Sequence, residues 1–162
     1  MTILPIKLYP DPILKQKTEI IKDPSDPQIQ ELILDMIETM EANNGMGLAA
    51  PQIGKSLRLC VIKYERKIYV LINPQFKLKS WGKETAEEGC LSFPGQFIPI
   101  KRSKKVIVEA IGKNAKKITI EATGILARAF QHEIDHLDGI LYIEHSKTKK
   151  LTKPKKYAPK IS

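Results

Sequence analysis

Two histidines and a glutamate near the C-terminal end of the chain have the types and spacing of a metal site. The residues around them predict a helix over residues 124–137, and side chains four positions apart lie on the same face of a helix. His132 and His136 should therefore project side by side. Two neutral imidazoles can hold a divalent metal, and Glu133 beside them can accept a proton from a water that the metal activates.

The local pattern supports this helix. Thr123 is a candidate N-cap and Gly139 a candidate stop, and apolar residues recur between them at helical spacing: Ile125, Leu126, Ala129, Phe130 and Leu137. The alternative interpretation is two solvated histidines on an amphipathic helix. However, the chain has three histidines in all, and two of them have this spacing, with a glutamate where metallohydrolase chemistry uses one. We therefore predict a metal site on this helix.

A catalytic metal site usually has three protein ligands and one open position, so a third ligand must be found. In the extended metalloprotease motif it would be a histidine at the position of Tyr142, and the one glutamate after His136 is Glu144. Cys90 lies upstream, in a glycine-containing segment between predicted strands, and a thiolate is a good soft ligand. Taken alone, Cys90 could equally be a buried free thiol. Beside two histidines, ligation is the favoured interpretation.

Length and composition indicate a single globular domain. The chain has 162 residues, of which 42% are hydrophobic and 28% are charged. No apolar run approaches the roughly 20 residues that span a membrane, and the N-terminal residues do not have the pattern of a secretory signal. We therefore expect a cytoplasmic protein. Two cysteines, Cys60 and Cys90, do not make a disulfide framework, and Cys60 is most simply a buried core thiol.

The positive charge of the chain is concentrated in its last residues. The formal net charge is +9, and residues 146–162 contain seven lysines and no acid, which leaves about +2 for the rest. We predict a single catalytic domain over residues 1–145 and a flexible, lysine-rich tail over residues 146–162. Such a tail can contact RNA or another acidic surface, or it can simply be solvated.

The remaining pattern predicts an α+β fold. An amphipathic helix should begin at Ser25 or Asp26 and end near residues 41–44, after an extended arm over residues 3–24. Strands are expected at residues 57–63, 67–72, 104–111 and 116–122, with Asn73-Pro74 as a break after which residues 75–81 can resume the second strand. A last short strand is expected at residues 140–143. We expect antiparallel strands packed around a central metal-binding helix, with the amphipathic helix near the N-terminus.

A glycine-containing segment, Gly45–Gln52, follows the first predicted helix. Glycines separated by one residue allow a backbone to approach a ligand closely. The segment is not a phosphate-binding loop, because no Lys-Ser or Lys-Thr pair follows at the required spacing. Taken alone, it could equally be a tight connection between helix and sheet.

Three motifs taken together resemble those of the peptide deformylase family: Gly45–Gln52, Glu88–Ser92 and Gln131–His136. The resemblance covers roughly residues 3–145. It implies an enzyme that removes the formyl group from the N-terminal formyl-methionine of newly synthesised proteins and releases formate. It also implies that Cys90, His132 and His136 hold one divalent metal ion, which is often Fe2+ in the family and is replaceable by Zn2+, Ni2+ or Co2+.

The resemblance also implies a role for individual residues. Glu133 would be the general base and acid, and the side-chain amide of Gln52 and the backbone N–H of Leu91 would stabilise negative charge on the formyl oxygen. The backbone at Gly45 and Gly47 would pair with an extended substrate as an added strand.

Two apolar residues are candidates for the methionine pocket. Ile125 and Ala129 lie on the same helix stripe as His132, so we expect them in the wall of this pocket, although they could equally be ordinary core. The chain has phenylalanine at position 97, where some members of the family have an arginine. We therefore expect its contacts with the substrate peptide at Phe97 to differ from theirs.

Three other interpretations of the chain remain. One is a metal-dependent peptidase, which would cleave internal peptide bonds but lacks a third ligand at the expected place. Another is a basic RNA-binding or ribosome-associated protein with a structural metal, for which Cys60 or His145 would have to supply a fourth ligand. A redox pair of Cys60 and Cys90 is disfavoured because the two are not in a Cys-x-x-Cys arrangement. Contact of the lysine-rich tail with the ribosome is a separate possibility, and it would depend on salt.

Overall fold

The strands form two antiparallel sheets in the computed structural model, which describes residues 2–146. The larger sheet has the order β1-β2-β3-β6-β7, and β4 pairs with β5 in a separate two-stranded sheet. The elements are β1 (Gly47–Ala49), β2 (Leu59–Tyr64), β3 (Lys67–Lys79), β4 (Lys83–Cys90), β5 (Phe93–Ser103), β6 (Lys105–Ile111), β7 (Lys117–Thr123), α1 (Pro27–Ala42) and α2 (Gly124–Leu137), with short 3₁₀ helices at Pro12–Lys15, Ala50–Ile53 and Tyr142–His145.

Each face of the larger sheet is covered by one helix. Strand β2 shows why: Cys60 and Ile62 belong to the core that contains the apolar side of α2, whereas Leu59 and Val61 belong to the core that contains α1. Alternate residues of a strand point to opposite faces, so a strand covered on both faces is apolar throughout. The predicted α+β arrangement of helices on antiparallel strands is therefore confirmed.

Helix α1 begins as its sequence predicts. The side chain of Asp26 accepts a hydrogen bond from the backbone N–H of Gln28 at 2.8 Å, and Pro27 occupies the first helical position. One stripe of α1, which includes Ile33, Met36 and Met40, is fully buried against the sheet. This helix thus closes the side of the sheet that does not face α2.

Helix α2 is buried on nearly all sides. It spans the predicted range, with Thr123 in the N-cap position, and twelve of its fourteen residues are buried. A helix buried all round is normally apolar, because each buried polar group needs a partner. The buried residues of α2 nevertheless include both histidines, Glu133 and other polar side chains. The surrounding elements must therefore supply partners for them.

The second sheet places Cys90 beside α2. Strands β4 and β5 pair from Lys83–Ser103 to Cys90–Phe93. The prediction that Cys90 lies between strands is wrong, because Cys90 is the last residue of β4. The first four residues of β4 are exposed and half of the strand is charged, so it lacks the apolar alternation that identifies a strand, and only its last three residues are buried.

Two further predictions about strands are wrong. Strand β3 continues through Asn73-Pro74, where a register shift leaves Pro74, which has no N–H to donate, outside the regular pairing with β6. Residues 140–143 do not form a strand, because Leu141 and Tyr142 pack into the core beside β5 and a 3₁₀ helix begins there. The predicted tail falls largely outside the described residues, and its division from a domain over residues 1–145 stays a prediction. No helix in the described part of the chain is long and apolar enough to cross a membrane.

Candidate metal centre

Cys90, His132 and His136 converge on one buried point. One potential ligand atom from each of them lies within 4.8 Å of the others, at the contact between the end of β4 and the buried face of α2. The Cys90 Sγ is 3.2 Å from the His136 Nε2. The buried His132 Nε2 has no hydrogen-bond partner among the described residues. An unsatisfied buried nitrogen costs free energy, and a bound cation would provide it with a partner. The donor set of one thiolate and two imidazoles therefore fits a divalent metal.

The two histidines have different electrostatic surroundings. Burial, together with the neighbouring His132, lowers the pKa of His136 to about 3, so this imidazole is neutral as a metal ligand requires. Burial alone would also lower the pKa of His132, but the neighbouring Cys90 and the carboxylate of Glu88 outweigh it and raise that pKa. A proton on His132 therefore competes with a metal ion for the same site.

Strand β1 approaches α2 very closely at Glu133, the residue that follows the predicted ligand His132. A Cβ atom at Gly47 would be 2.3 Å from the Oε1 of Glu133, which is closer than any real contact allows. Glycine is therefore required at position 47 to leave room for the carboxylate. The carboxylate is completely buried one helical position from His132.

Gln52 has a fixed orientation at the edge of the centre. Its Oε1 accepts a hydrogen bond from the backbone N–H of Ala49 at 2.8 Å, so its Nε2 faces the other way. That nitrogen is 3.5 Å from the Cys90 Sγ and 3.3 Å from the Ser92 Oγ. Leu91 follows Cys90 in the chain, and its side chain occupies the space where a Cβ at Gly45 would lie. The structure therefore brings the predicted amide donors next to a predicted ligand.

Glu88 contacts a predicted ligand on the side away from the metal position, and the sequence pattern assigns it no function. Its Oε2 is 2.9 Å from the His132 Nδ1, so this contact leaves the Nε2 of the ring for a metal. Arg102 makes two hydrogen bonds to the same carboxylate, at 2.9 and 3.0 Å, and Arg128 makes one at 2.8 Å. Burial alone would raise the pKa of Glu88, but the contacts with His132 and Arg102 hold it far below its ordinary value.

The buried network extends to the surface of the molecule. Arg102 donates to Asp135, whose Oδ2 is also 2.8 Å from the Nε2 of the half-exposed His145. His145 therefore belongs to this network. A fully buried carboxylate implies nearby donors, but the sequence does not identify them, because they lie on β5 and on another turn of α2.

The predicted pocket residues lie in unlike surroundings. Ala129 is completely buried in the main core, whereas the side chain of Ile125 is 53% exposed. Their place in a methionine pocket stays a prediction. Cys60 is buried in the same core as Ala129, and burial raises the pKa of its thiol, so it is a protonated core residue as predicted. It is not part of the group formed by Cys90 and the two histidines.

The site has the features of a metal-dependent hydrolase. A buried helix carries two histidines and a glutamate, one thiolate joins them, and this group of described residues has no fourth protein ligand. Such enzymes keep one metal position open for water or substrate.

Comparison with known proteins identifies the family within this class. Residues 3–152 match the model of the polypeptide deformylase family. Over 149 residues the chain is 52% identical to a peptide deformylase of Thermodesulfovibrio yellowstonii, covering 89% of each chain. It is also similar to the crystal structure of a peptide deformylase from Ehrlichia chaffeensis in complex with actinonin, with a TM-score of 0.89, 38% identity and 92% of each chain covered. The chain therefore belongs to the polypeptide deformylase family.

Proposed function

We propose that this chain removes the N-formyl group from the formyl-methionine of newly synthesised proteins, with its buried centre as the active site. The observation that carries the proposal is the convergence of Cys90, His132 and His136 within 4.8 Å, beside Glu133, in a chain of this family. The reaction is hydrolysis of a linear amide, and its products are formate and a free amino terminus.

Cys90, His132 and His136 would hold one divalent metal ion. When bound, such an ion polarises the formyl carbonyl and lowers the pKa of water. Glu88 fixes the ring of His132, and Arg102 and Arg128 fix Glu88, so this ligand needs no rearrangement to bind. This preorganisation lowers the cost of ordering His132 when a metal binds.

Glu133 is the proposed proton carrier. It accepts the proton of the attacking water and delivers it to the leaving amine, so that a good leaving group departs. The carboxylate is completely buried, and Gly47 lets it lie against β1. The surrounding core excludes bulk water, which would otherwise compete for this proton.

Gln52 and Leu91 are the proposed donors to the formyl oxygen. Negative charge develops on this oxygen as water adds to the carbon, and donors that are already oriented stabilise it without reorganisation. Because the N–H of Ala49 holds the Oε1 of Gln52, its Nε2 is available to the site. The Gly45 and Gly47 backbone would pair with the extended substrate, and Ile125 and Ala129 would contact the methionine side chain.

Formate release from a formyl-Met tripeptide tests the activity, using Glu133→Gln as the matched variant. The wild-type chain should release formate and leave the peptide bonds intact. The variant should bind metal with unchanged stoichiometry but lose about 100- to 10,000-fold in kcat, the range that general acid–base catalysis contributes. Cleavage of peptide bonds, or a fully active variant, would contradict the proposal.

The metal itself is proposed to be Fe2+. A thiolate with two imidazoles also suits Zn2+, Ni2+ and Co2+, so the ligands alone do not select one ion. Anaerobic purification with metal analysis, followed by exposure to air, separates the candidates, because Fe2+ oxidises and the others persist. Activity that survives air unchanged, together with stoichiometric zinc in the anaerobic protein, would identify zinc instead.

The lysine-rich tail is proposed to contact the ribosome, and the protein is proposed to act in the cytoplasm, where its substrates are made. Seven lysines without an acid would be attracted to RNA phosphates, and this contact weakens as salt rises. The test compares ribosome co-sedimentation of the full chain with that of a variant in which the seven lysines are glutamine. Equal co-sedimentation at low salt would remove this role.

A further inference from the structure

A single tryptophan is almost completely exposed at the end of the molecule away from the metal centre. Trp81 is the one tryptophan of the chain, its side chain is 98% exposed, and it lies in the turn between β3 and β4. Among residues 2–146 the indole has no aromatic or cation partner. A single exposed apolar residue is common on protein surfaces, so the residues around Trp81 decide whether it marks a binding surface.

The turn that carries Trp81 is held in place by the neighbouring connection. The backbone N–H of Ser80 donates to the carbonyl of Lys105 at 2.9 Å, and the N–H of Lys104 donates to the carbonyl of Gly82 at 2.9 Å. The hydroxyl of Ser80 also donates to the carbonyl of Gly82 at 3.1 Å. These bonds bring the β3–β4 turn and the β5–β6 connection together, so the indole is presented by an ordered frame.

The two segments that meet at this turn are strongly basic. Residues 75–83 and 100–106 contain no Asp or Glu, and their basic residues are Lys77, Lys79, Lys83, Lys101, Arg102, Lys104 and Lys105. Lys77 pairs with Glu109, Lys105 pairs with Glu121, and Arg102 is buried in the network of the metal centre. Lys79, Lys83 and Lys104 are exposed and have no carboxylate partner in the described part of the chain. The Nζ of Lys79 lies 4.0 Å from the centroid of the Phe76 ring, and the Nζ of Lys83 donates to the Ser103 Oγ at 3.2 Å, so phosphate would have to compete with these neutral contacts.

We propose that Trp81, Lys79, Lys83 and Lys104 form a binding surface for single-stranded RNA, with an unpaired base stacked on the indole and phosphates on the three ammonium groups. Stacking on an exposed aromatic ring combined with a positively charged surround is how proteins bind single strands without sequence preference. A membrane surface is bound by several apolar side chains on one face. In the two segments that meet at this turn, Leu78 is the one other exposed large apolar residue, whereas Lys79, Lys83 and Lys104 are all exposed, which favours RNA.

This surface is separate from the metal centre. Strand β4 runs from Lys83 beside Trp81 to the ligand Cys90, and seven residue steps of about 3.3 Å span roughly 23 Å. RNA bound at Trp81 would therefore leave the active site open. The tail also combines seven lysines with an aromatic residue, Tyr157, so variants of each region are needed to tell their contributions apart.

Because Trp81 is the one tryptophan, its fluorescence reports directly on stacking. Titration with a 12-nucleotide oligoadenylate at low salt should quench the emission in a saturable way. Anisotropy of the labelled RNA should show at least about five-fold weaker binding for Trp81→Ala, the lower end for loss of one stacked base. Combined Lys79→Gln, Lys83→Gln and Lys104→Gln should weaken binding about ten-fold and reduce its salt dependence.

Matched variants distinguish RNA binding at this surface from nonspecific attraction of RNA to the positive charge of the chain. Lys113→Gln, Lys116→Gln and Lys117→Gln remove the same charge at the β6–β7 turn, and binding should change less than two-fold. Replacement of the seven tail lysines by glutamine should leave the quenching in place. Formate release should be unchanged in every variant, which shows that each is folded.

Three results would overturn the proposal. The first is RNA binding without quenching of Trp81. The second is equal loss of affinity in the two lysine variants. The third is a blue shift with phosphatidylglycerol vesicles while the RNA has no effect, which would assign the surface to an anionic membrane.

Discussion

Ion pairs of similar length occupy two very different regions of this molecule. Glu88 lies in the interior, completely buried, and receives hydrogen bonds from two arginines at 2.8 to 3.0 Å. Glu41 lies on the surface and pairs with Lys63 at 2.6 Å, with both side chains nearly half exposed. The shorter pair is not the more important one, because water and salt screen it. Burial decides what each pair does.

The interior pairs work as a unit. Removing one member leaves other charges buried without a partner, which costs several kcal/mol, although the assembled network adds little net stability of its own. What the network provides is the position of His132 at the metal centre. The surface pairs hold no functional group in place. Substitutions in the two regions should therefore differ in size and in which property they change.

Glu88→Ala should have the largest effect. Both arginines lose a buried partner, so the free energy of unfolding should fall by about 3–5 kcal/mol. His132 loses the acceptor that orients it, so metal affinity should fall about 10- to 100-fold. Chemical denaturation and competitive metal titration measure the two effects. A variant with wild-type metal affinity would show that the ring of His132 is held by packing alone.

Part of this design is visible in the sequence and part is not. The spacing of His132, Glu133 and His136 is local, so one helix sets their geometry. Cys90 is 42 positions away from His132 but has a distinctive side chain, and the neighbouring motifs support it. The partners of Glu88 are arginines like any others until β5 and α2 are brought together. The sheet that does so begins with exposed, charged residues and was not predicted.

Asp135→Asn should have an intermediate effect and tests whether the network is graded. Asp135 contacts Arg102 and His145 but not His132. The substitution therefore removes a buried negative charge and leaves the ring of His132 in place. The free energy of unfolding should fall by about 1.5–3 kcal/mol, the range for a charged hydrogen bond. Metal affinity should fall less than in Glu88→Ala. An equal loss of metal affinity would mean that the whole network, and not Glu88 alone, positions the ligand.

Glu41→Gln should have a small effect because the pair with Lys63 is on the surface. Exposed pairs typically contribute about 0.2–1 kcal/mol, so the free energy of unfolding should change by less than 1 kcal/mol. A double-mutant cycle with Lys63→Gln isolates the interaction, and 1 M salt should abolish it. Metal affinity and formate release serve as the controls and should not change. A coupling energy above 2 kcal/mol would break the distinction between the two regions.

The pair of Lys15 and Glu144 should show the smallest effect, and pH reveals it best. Burial alone would raise the pKa of Glu144, but the hydrogen bond from Lys15 at 2.7 Å, the backbone N–H of Leu141 and the charge of Lys15 together outweigh it and lower that pKa. A lowered carboxyl pKa stabilises the fold above the unfolded value of about 4.3, and this contribution disappears as the pH falls through the folded pKa.

In Lys15→Gln the pKa of Glu144, measured by NMR, should rise toward its ordinary value. Stability at pH 7 should therefore fall slightly, stability below the folded pKa should not change, and the acid side of the stability curve should flatten. An unchanged pKa would mean that other contacts of Glu144, such as that with the backbone N–H of Leu141, cause the shift.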